Sequence, residues 1–446
     1  LLCVFDKVDV LTSAGKQANT YGIITDRIGA CYEAANNFHM AMQYYRKDLE
    51  ISKQLKDSYP ENLGYLRNYS ISLEKIAGIY EATKLLDSAL EYYQKVLEIS
   101  EKLKDICPKN PNCLLGYSIS LNRVAGIYEA LNQLDSALEC CHKAFEIKKQ
   151  LKDVYPENLE YFHSYSIALE RIAGIYKAMN RLDDALECYQ KTLEIPKQIK
   201  DSYLKNSDYL RDYSVILNKI AEIYEAINRL DNAFEYYWKG FKIFEQLKDN
   251  YPEASGYLCD YSISLESIAG IYEAMNQLDN AFEYYQKCLK IRNQLKDAYP
   301  KNPDYLYYYS IPLERIAGIY EAMNQLNVAF KYYQECLKIR NQLKDAYPKN
   351  PDYLFYYSIP LERIAGIYET MNQLNVAFKY YQECLKIRNQ LKDAYPKNPD
   401  YLFYYSIPLE RIAGIYETMN QLNVAFKYYQ ECLKIRNQLK DAYPKN

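Results

Sequence analysis

Cysteine, histidine and carboxylate are the residue types here that could hold a metal, attack a substrate or move a proton. The chain has twelve cysteines, of which Cys288, Cys336, Cys384 and Cys432 recur 48 residues apart. No CxxC pair occurs, and the three histidines (His39, His142, His163) are scattered. Zinc needs four ligands about 2 Å from one point, which this spacing does not supply. The cysteines therefore read as structural thiols of a reducing compartment, and a cytoplasmic location is expected. Carboxylates come in rows. One runs Glu74, Glu170, Glu266, Glu314, Glu362, Glu410, with Asn122 and Asn218 filling its gaps. A second runs Glu33, Glu81, Glu129, Glu225, Glu273, Glu321, Glu369, Glu417, with Lys177 at the place between Glu129 and Glu225. Acid–base catalysis needs two acids held at different pKa values in one dry pocket, and a uniform ladder provides neither. There is no P-loop, nucleophile elbow or HExxH. No catalytic residue, metal or cofactor is expected. Aligned carboxylates can instead attract a basic or amide-rich segment.

Bulk properties narrow the partners. Lys plus Arg is 55 and Asp plus Glu is 58, a formal charge of −3, so no basic field is available for nucleic acid. No apolar run reaches the roughly 18 residues a membrane span requires. Tyrosine is abundant, 52 residues against one tryptophan. An aromatic nucleic-acid platform needs basic residues on the same face, whereas Lys338, Arg340 and Lys344 fall on a different helix.

The elements that position these rows are repeats. The segment IAGIYEA sets a register through Gly29, Gly78, Gly126, Gly174, Glu222, Gly270, Gly318, Gly366 and Gly414, with a first step of 49 and then steps of 48. Residues 351–398 and 399–446 are identical, and 303–350 differs from them only at Tyr307 and Ala322. Tyr305, Tyr309, Leu313, Ile316, Ala317 and Tyr320 are spaced by three and four, as on one helix face. Asn302-Pro303-Asp304 is a helix start, and Asn324-Gln325 breaks the pattern. A second helix is expected from a cap at Asn327 to Tyr347-Pro348. Neither helix can bury its stripe alone, so units must stack into an α-solenoid. Pro312, Pro360 and Pro408 stand where earlier units have Ser72, Ser120 and Ser264; either the helix kinks there or it starts nearer Ser310.

These residues resemble the tetratricopeptide repeat family. Leu73, Ile76, Ala77, Tyr80, Ala89, Tyr93 and Val96 fit its pattern, as do Leu313, Ile316, Ala317, Tyr320, Ala329, Tyr333 and Cys336. The period is 48 and not 34, which is similar to arrays of the kinesin light chain type and of bacterial signalling proteins. The resemblance implies a right-handed α-solenoid of about nine helix-turn-helix units over residues 21–446, after a non-repeat or partial helix at 1–20. It also implies that the first helix of each unit lines a concave groove. The family's carboxylate clamp uses Lys, Asn and Arg where this chain has Glu, which speaks against capture of an acidic C-terminal peptide.

On that first helix Tyr307, Ile311, Glu314, Gly318 and Glu321 form the outward stripe. Gly in mid-helix costs about 1 kcal/mol against Ala. Its recurrence implies close packing of adjacent helices, the first expectation, or room for a ligand backbone. The variable aromatic positions Tyr307, Phe355 and Phe403, with neighbours Tyr308, Tyr356 and Tyr404, form a second candidate patch. The expected function is a protein–protein interaction scaffold that holds a protein or peptide segment, of basic character, in its acidic groove. The alternative is a sensor or autoinhibitory arm of a larger signalling enzyme. The last repeat carries no polar capping helix, which predicts truncation or end-to-end self-association.

Overall fold

The computed structural model describes residues 2–194 and 205–442, with side-chain environments for 17–194 and 205–441. Those residues form an all-α solenoid of helix pairs without a strand. Two compact units divide it, Leu1–Ile223 and Tyr224–Asn446. The first contains α1 (Leu2–Ala34), α2 (Phe38–Ser58), α3 (Leu63–Ala82), α4 (Leu86–Ile106), α5 (Pro111–Ala130), α6 (Leu134–Val154), α7 (Leu159–Ala178), α8 (Leu182–Thr192) and most of α9 (Ser207–Ala226). The second continues with α10 (Leu230–Asn250), α11 (Ser255–Ala274), α12 (Leu278–Ala298), α13 (Pro303–Ala322) and α14 (Leu326–Ala346). It closes with α15 (Pro351–Thr370), α16 (Leu374–Ala394), α17 (Pro399–Thr418) and α18 (Leu422–Ala442).

The local signals act as their chemistry dictates. Asn302 Oδ1 accepts from the amides of Asp304 (2.9 Å) and Tyr305 (3.4 Å), capping α13. After α13, Asn324 takes φ 57°, and its amide donates to the Glu321 carbonyl while that of Gln325 donates to Tyr320. These two bonds close a Schellman turn, with Asn in the left-handed place usually held by glycine. The second helix therefore begins at Leu326, and Asn327 lies inside it and caps nothing. The same positive φ recurs at Asn36, Lys84, Asn132, Asn180, Asn228, Asn276, Asn372 and Asn420. Those turns step by 48 from the first repeat onward. Gly29 accordingly shares its place with Ala77, one residue before the glycine column. A methyl there would lie 2.6 Å from the Tyr45 ring, so Gly29 answers a packing need that the other glycines do not.

Neighbouring repeats share their cores. Ala317 of α13, Ala329 and Tyr333 of α14, and Ile364 and Ile367 of α15 form one buried cluster. Its counterpart one repeat on is Ala365, Ala377, Tyr381, Ile412 and Ile415. Cys288, Cys336 and Cys384 are buried, each against its partner helix: the Cys336 thiol donates to the Ser310 carbonyl at 3.4 Å. Burial pushes these thiols up to about 12. Two cysteines depart from the thiol reading, because Cys107 and Cys113 are disulfide-bonded. They stand where other repeats place a tyrosine pair, such as Tyr155–Tyr161 at 5.4 Å or Tyr299–Tyr305 at 5.3 Å between ring centroids.

The prolines lie inside their helices. Pro360 has no N–H to give the Tyr356 carbonyl four residues back. That carbonyl accepts instead from Arg340 Nη1, at 3.0 Å, reaching across from the preceding repeat. Arg292 does the same for Tyr308 ahead of Pro312 (2.9 Å), and Arg388 for Tyr404 ahead of Pro408 (2.9 Å). Ser72 and Ser120, at the proline position of earlier repeats, bond their own carbonyls four residues back, Asn68 (3.0 Å) and Gly116 (3.1 Å).

Among the described residues no helix is long and apolar enough to cross a membrane.

Candidate functional site

The two acidic rows lie on the first helix of each pair, and every carboxylate of them described below has a protein partner. In the second row the donor is the tyrosine twelve residues on, in the same repeat's second helix. Tyr333 Oη donates to Glu321 at 2.9 Å, Tyr285 to Glu273 at 2.8 Å, Tyr381 to Glu369 at 2.8 Å and Tyr429 to Glu417 at 2.8 Å. Tyr93 donates to Glu81 at 2.8 Å and Tyr237 to Glu225 at 3.1 Å. Cys141 occupies the tyrosine place of its repeat, and there Glu129 pairs with Arg171 of the next repeat at 2.6 Å. Burial, then the adjoining carboxylate, holds the Tyr285, Tyr333 and Tyr381 phenols far above their ordinary range.

The first row is paired more strongly in the second unit. Glu314 and Glu362 each meet a guanidinium at 2.6 Å, Arg340 and Arg388 respectively, and Glu266 meets Arg292. These arginines are 1–3 % exposed and each also reaches a serine hydroxyl, as Arg340 Nε does Ser310 at 3.0 Å. Arg340 is thus a core residue of the helix pair and not part of an outer basic surface. Glu410 pairs with Arg436 at 2.5 Å. In the first unit Glu74 meets Arg123 at 3.4 Å, and Glu170 meets Lys219, both across adjacent first helices.

Between the rows runs a cationic column that the acidic reading underweighted: Lys75, Arg123, Arg171 and Lys219, then Arg315, Arg363 and Arg411 after Ser267. The face alternates in sign. One recess of about 390 Å³ is lined by Glu273, Glu314, Arg315, Gly318, Glu321 and Arg363, with Ala322 and Tyr333. Another, of about 380 Å³, repeats it around Glu225, Glu266, Gly270 and Arg315.

The glycines on this face are not there for close packing. A methyl at Gly78 or Gly174 would meet no atom within 4 Å. At Gly270, Gly318, Gly366 and Gly414 its nearest neighbour is a tyrosine hydroxyl at 3.8–3.9 Å, ordinary contact. Only at Gly126 is the neighbour tighter, an Arg171 nitrogen at 3.2 Å.

The aromatic positions are partly used internally. Tyr307 meets Tyr356 of the next repeat in a tilted contact, 4.6 Å between ring centroids, and Phe355 meets Tyr404 edge to face at 4.8 Å. Phe403 is 49 % exposed. The burial of Arg292, Arg340 and Arg388 was not foreseen from sequence. The signal was available: arginine occurs twenty residues before each Pro312, Pro360 and Pro408, and nowhere else in that column with a described successor. Among the described residues no group of three or more His, Cys, Asp or Glu is disposed to hold a metal.

Comparison with known proteins agrees on the repeats. No curated protein matches the chain in sequence. Among solved structures, BtubC from P. vanneervenii is 15% identical over 58% of this chain and 92% of its own, with a TM-score of 0.45. A P. anserina protein with nearly identical kinesin light chain TPR-like repeats is 19% identical over 53% of this chain and 99% of its own, TM-score 0.40. A signal transduction ATPase with numerous domains and a tetratricopeptide repeat sensor, from Pyrococcus horikoshii, is 15% identical over 87% of this chain and 55% of its own, TM-score 0.41. None of these likenesses fixes a partner or a site. Family profiles described as tetratricopeptide repeat match residues 25–59, 72–103, 168–202, 264–295, 313–343, 361–391 and 409–439. The chain belongs to the tetratricopeptide repeat family.

Proposed function

We propose that the chain is a protein–protein interaction scaffold, and that a partner polypeptide lies along the first-helix face with its backbone close to the glycines. The observation that supports this is the room left at the glycines: a methyl would meet nothing within 4 Å at Gly78 and Gly174, and only a tyrosine hydroxyl at ordinary contact distance at Gly270, Gly318 and Gly366. Alanine would fit at each and would strengthen the helix by about 1 kcal/mol. A small residue kept where the protein itself has no need of one leaves room for a ligand. The Glu and Arg columns beside it supply both acceptors and donors. Carboxylates such as Glu273, Glu321 and Glu369, oriented by tyrosine hydroxyls, meet partner amides or cations, and Arg315 and Arg363 meet carbonyls or acids. This partner is mixed in charge, not strongly basic.

Charge reversal at Glu314 or Glu362 would strand a buried arginine and is a poor probe. Glycine is the better one. Gly318→Ala with Gly366→Ala should raise the urea midpoint, whereas Gly318→Leu with Gly366→Leu should keep helix content and release a partner captured by the unaltered chain from native lysate. A partner retained by the leucine variant, or an alanine variant that loses stability, would overturn the assignment.

A further inference from the structure

Arg292, Arg340 and Arg388 each fill a slot between the two helices of their own repeat and the first helix of the next. Each ties a serine and a glutamate of its own first helix to a carbonyl of the following one, as Arg340 does Ser310, Glu314 and Tyr356. Six steps of 48 residues earlier, in α1, α2 and α3, the same places carry other side chains. Ser52 stands for the arginine, Gly22 for Ser310, Asp26 for Glu314, Asn68 for Tyr356 and Asp48 for Cys336.

These exchanges turn the slot into a cavity of about 150 Å³, whose polar lining is Asp26, Asp48, Ser52, Asn68, Ser72 and Asn19. One water needs roughly 10–15 Å³, so the space is much more than a packing defect. Asp48 is buried, and its carboxylate accepts from the Ser72 hydroxyl at 2.6 Å. Gly22 makes room for it, since a methyl there would stand 3.0 Å from Asp48 Oδ1. Asp26 Oδ1 is buried and accepts no hydrogen bond among the described residues. The charge that bears on Asp48 is that of Asp26, which has the same sign. Lys75 lies against the Tyr45 ring, 5.8 Å from its centre, where its counterpart Arg123 meets Glu74. The second repeat shows that serine alone does not make the cavity: beside Ser100 it has Val96 at the Asp48 place, and its Glu74 is paired.

We propose that this cavity is a binding site for an alkylguanidinium, held between Asp26 and Asp48. The molecule itself supplies the precedent, because the glutamates at the Asp26 place, Glu266, Glu314 and Glu362, each hold a guanidinium. A guanidinium presents five N–H donors in one plane, which suits two carboxylates and the Ser52 hydroxyl together. A divalent metal ion calls for about six oxygen ligands, and two carboxylates fall short of that. The alkyl stem has a place to lie: Ile23 and Ile71 line the same cavity and are both exposed. Such a stem packs on apolar surface while its charged head is buried with its partners. The site does not depend on a partner path along the glycines.

The test titrates the full chain with Nα-acetyl-arginine amide, read by calorimetry at low salt. Nα-acetyl-citrulline amide has nearly the same shape without the charge. The arginine amide should bind saturably at one site, and the citrulline amide about tenfold more weakly. Asp26→Asn keeps the shape and removes a buried unpaired charge. It should hold the melting temperature and weaken the arginine amide about tenfold. Ser52→Arg should raise the melting temperature and abolish binding, because the chain then fills its own slot. Ethylguanidinium, which lacks peptide groups, separates the sources. Weaker binding than the amide supports an arginine within a partner polypeptide, and equal or tighter binding supports a free small molecule. Absence of saturable binding, equal binding of the citrulline amide, or undiminished binding by Asp26→Asn overturns the proposal. So does binding retained by a folded Ser52→Arg.

Discussion

Cys336 illustrates how much a residue's chemistry depends on what surrounds it. It sits at the helix-packing place of its repeat, enclosed with Leu313, Tyr309 and Ile339, and burial lifts its thiol to about 12. The thiolate is the reactive species, so such a residue is inert at neutral pH. Iodoacetamide at pH 8 should therefore label exposed Cys31 and spare Cys288, Cys336 and Cys384 until denaturant is added, a contrast that peptide mass mapping reads directly. Labelling of the three at the rate of Cys31 would mean that the repeat interior opens readily. This packing role was legible in sequence, because four cysteines at a fixed 48-residue step occupy a known small-residue place. The disulfide was not. Cys107 and Cys113 lie six apart, like the tyrosine pairs of other repeats, but six-residue spacing alone does not bring two side chains together. The turn geometry does that. The carboxylate rows show the same limit. Their periodicity could be read along one helix, whereas their partners lie 12, 26, 42 or 49 residues away on another.

At the scale of the element, the device that holds successive repeats together is the arginine that replaces a missing backbone donor. Arg340 joins Ser310 and Glu314 on one helix to the Tyr356 carbonyl on the next. Arg340→Met should lower stability by about 2–3 kcal/mol, since it removes charge-assisted bonds and leaves a buried carbonyl unserved. In a Pro360→Ala background the loss should shrink by about 1 kcal/mol, because the alanine N–H satisfies Tyr356 within its own helix. Urea midpoints of the four proteins close this cycle, and strict additivity would mean that Arg340 serves Glu314 alone. A simpler test concerns the turn after α3. Lys84 holds φ 62° where the equivalent turns have asparagine. Lys84→Gly should stabilise by about 1 kcal/mol, as the left-handed conformation crowds a Cβ. Loss of stability on thermal unfolding would show that the lysine side chain itself is needed. Helix boundaries were readable to within a residue or two from Asn-Pro-Asp and Tyr-Pro. The second helix start was misplaced, because Asn324 acts through its backbone angle and not as a side-chain cap.

For the molecule as a whole, small terms repeat, and a repeat protein's stability is close to a sum over units and their interfaces. The tyrosine–glutamate clasp is the clearest such term. It joins Glu81 to Tyr93, Glu273 to Tyr285, Glu321 to Tyr333 and Glu369 to Tyr381. In each case burial, then the carboxylate, raises the phenol above its ordinary value of 10.0. A group whose pKa is higher folded than unfolded contributes stability that is complete below the unfolded value and drains as pH rises above it. The protein should therefore be insensitive to this term at neutral pH and lose stability steeply above about pH 10. Burial and the adjoining carboxylate disfavour ionisation of the clasped phenols while their helices stay packed, so ionisation and unfolding should arrive together. Absorbance at 295 nm and ellipticity at 222 nm, followed through one alkaline titration, separate the possibilities. Part of the phenolate signal should be withheld and then appear at the pH where helix content falls. Full ionisation of all 52 tyrosines at unchanged helix content would mean that the clasps open independently and hold no repeat together.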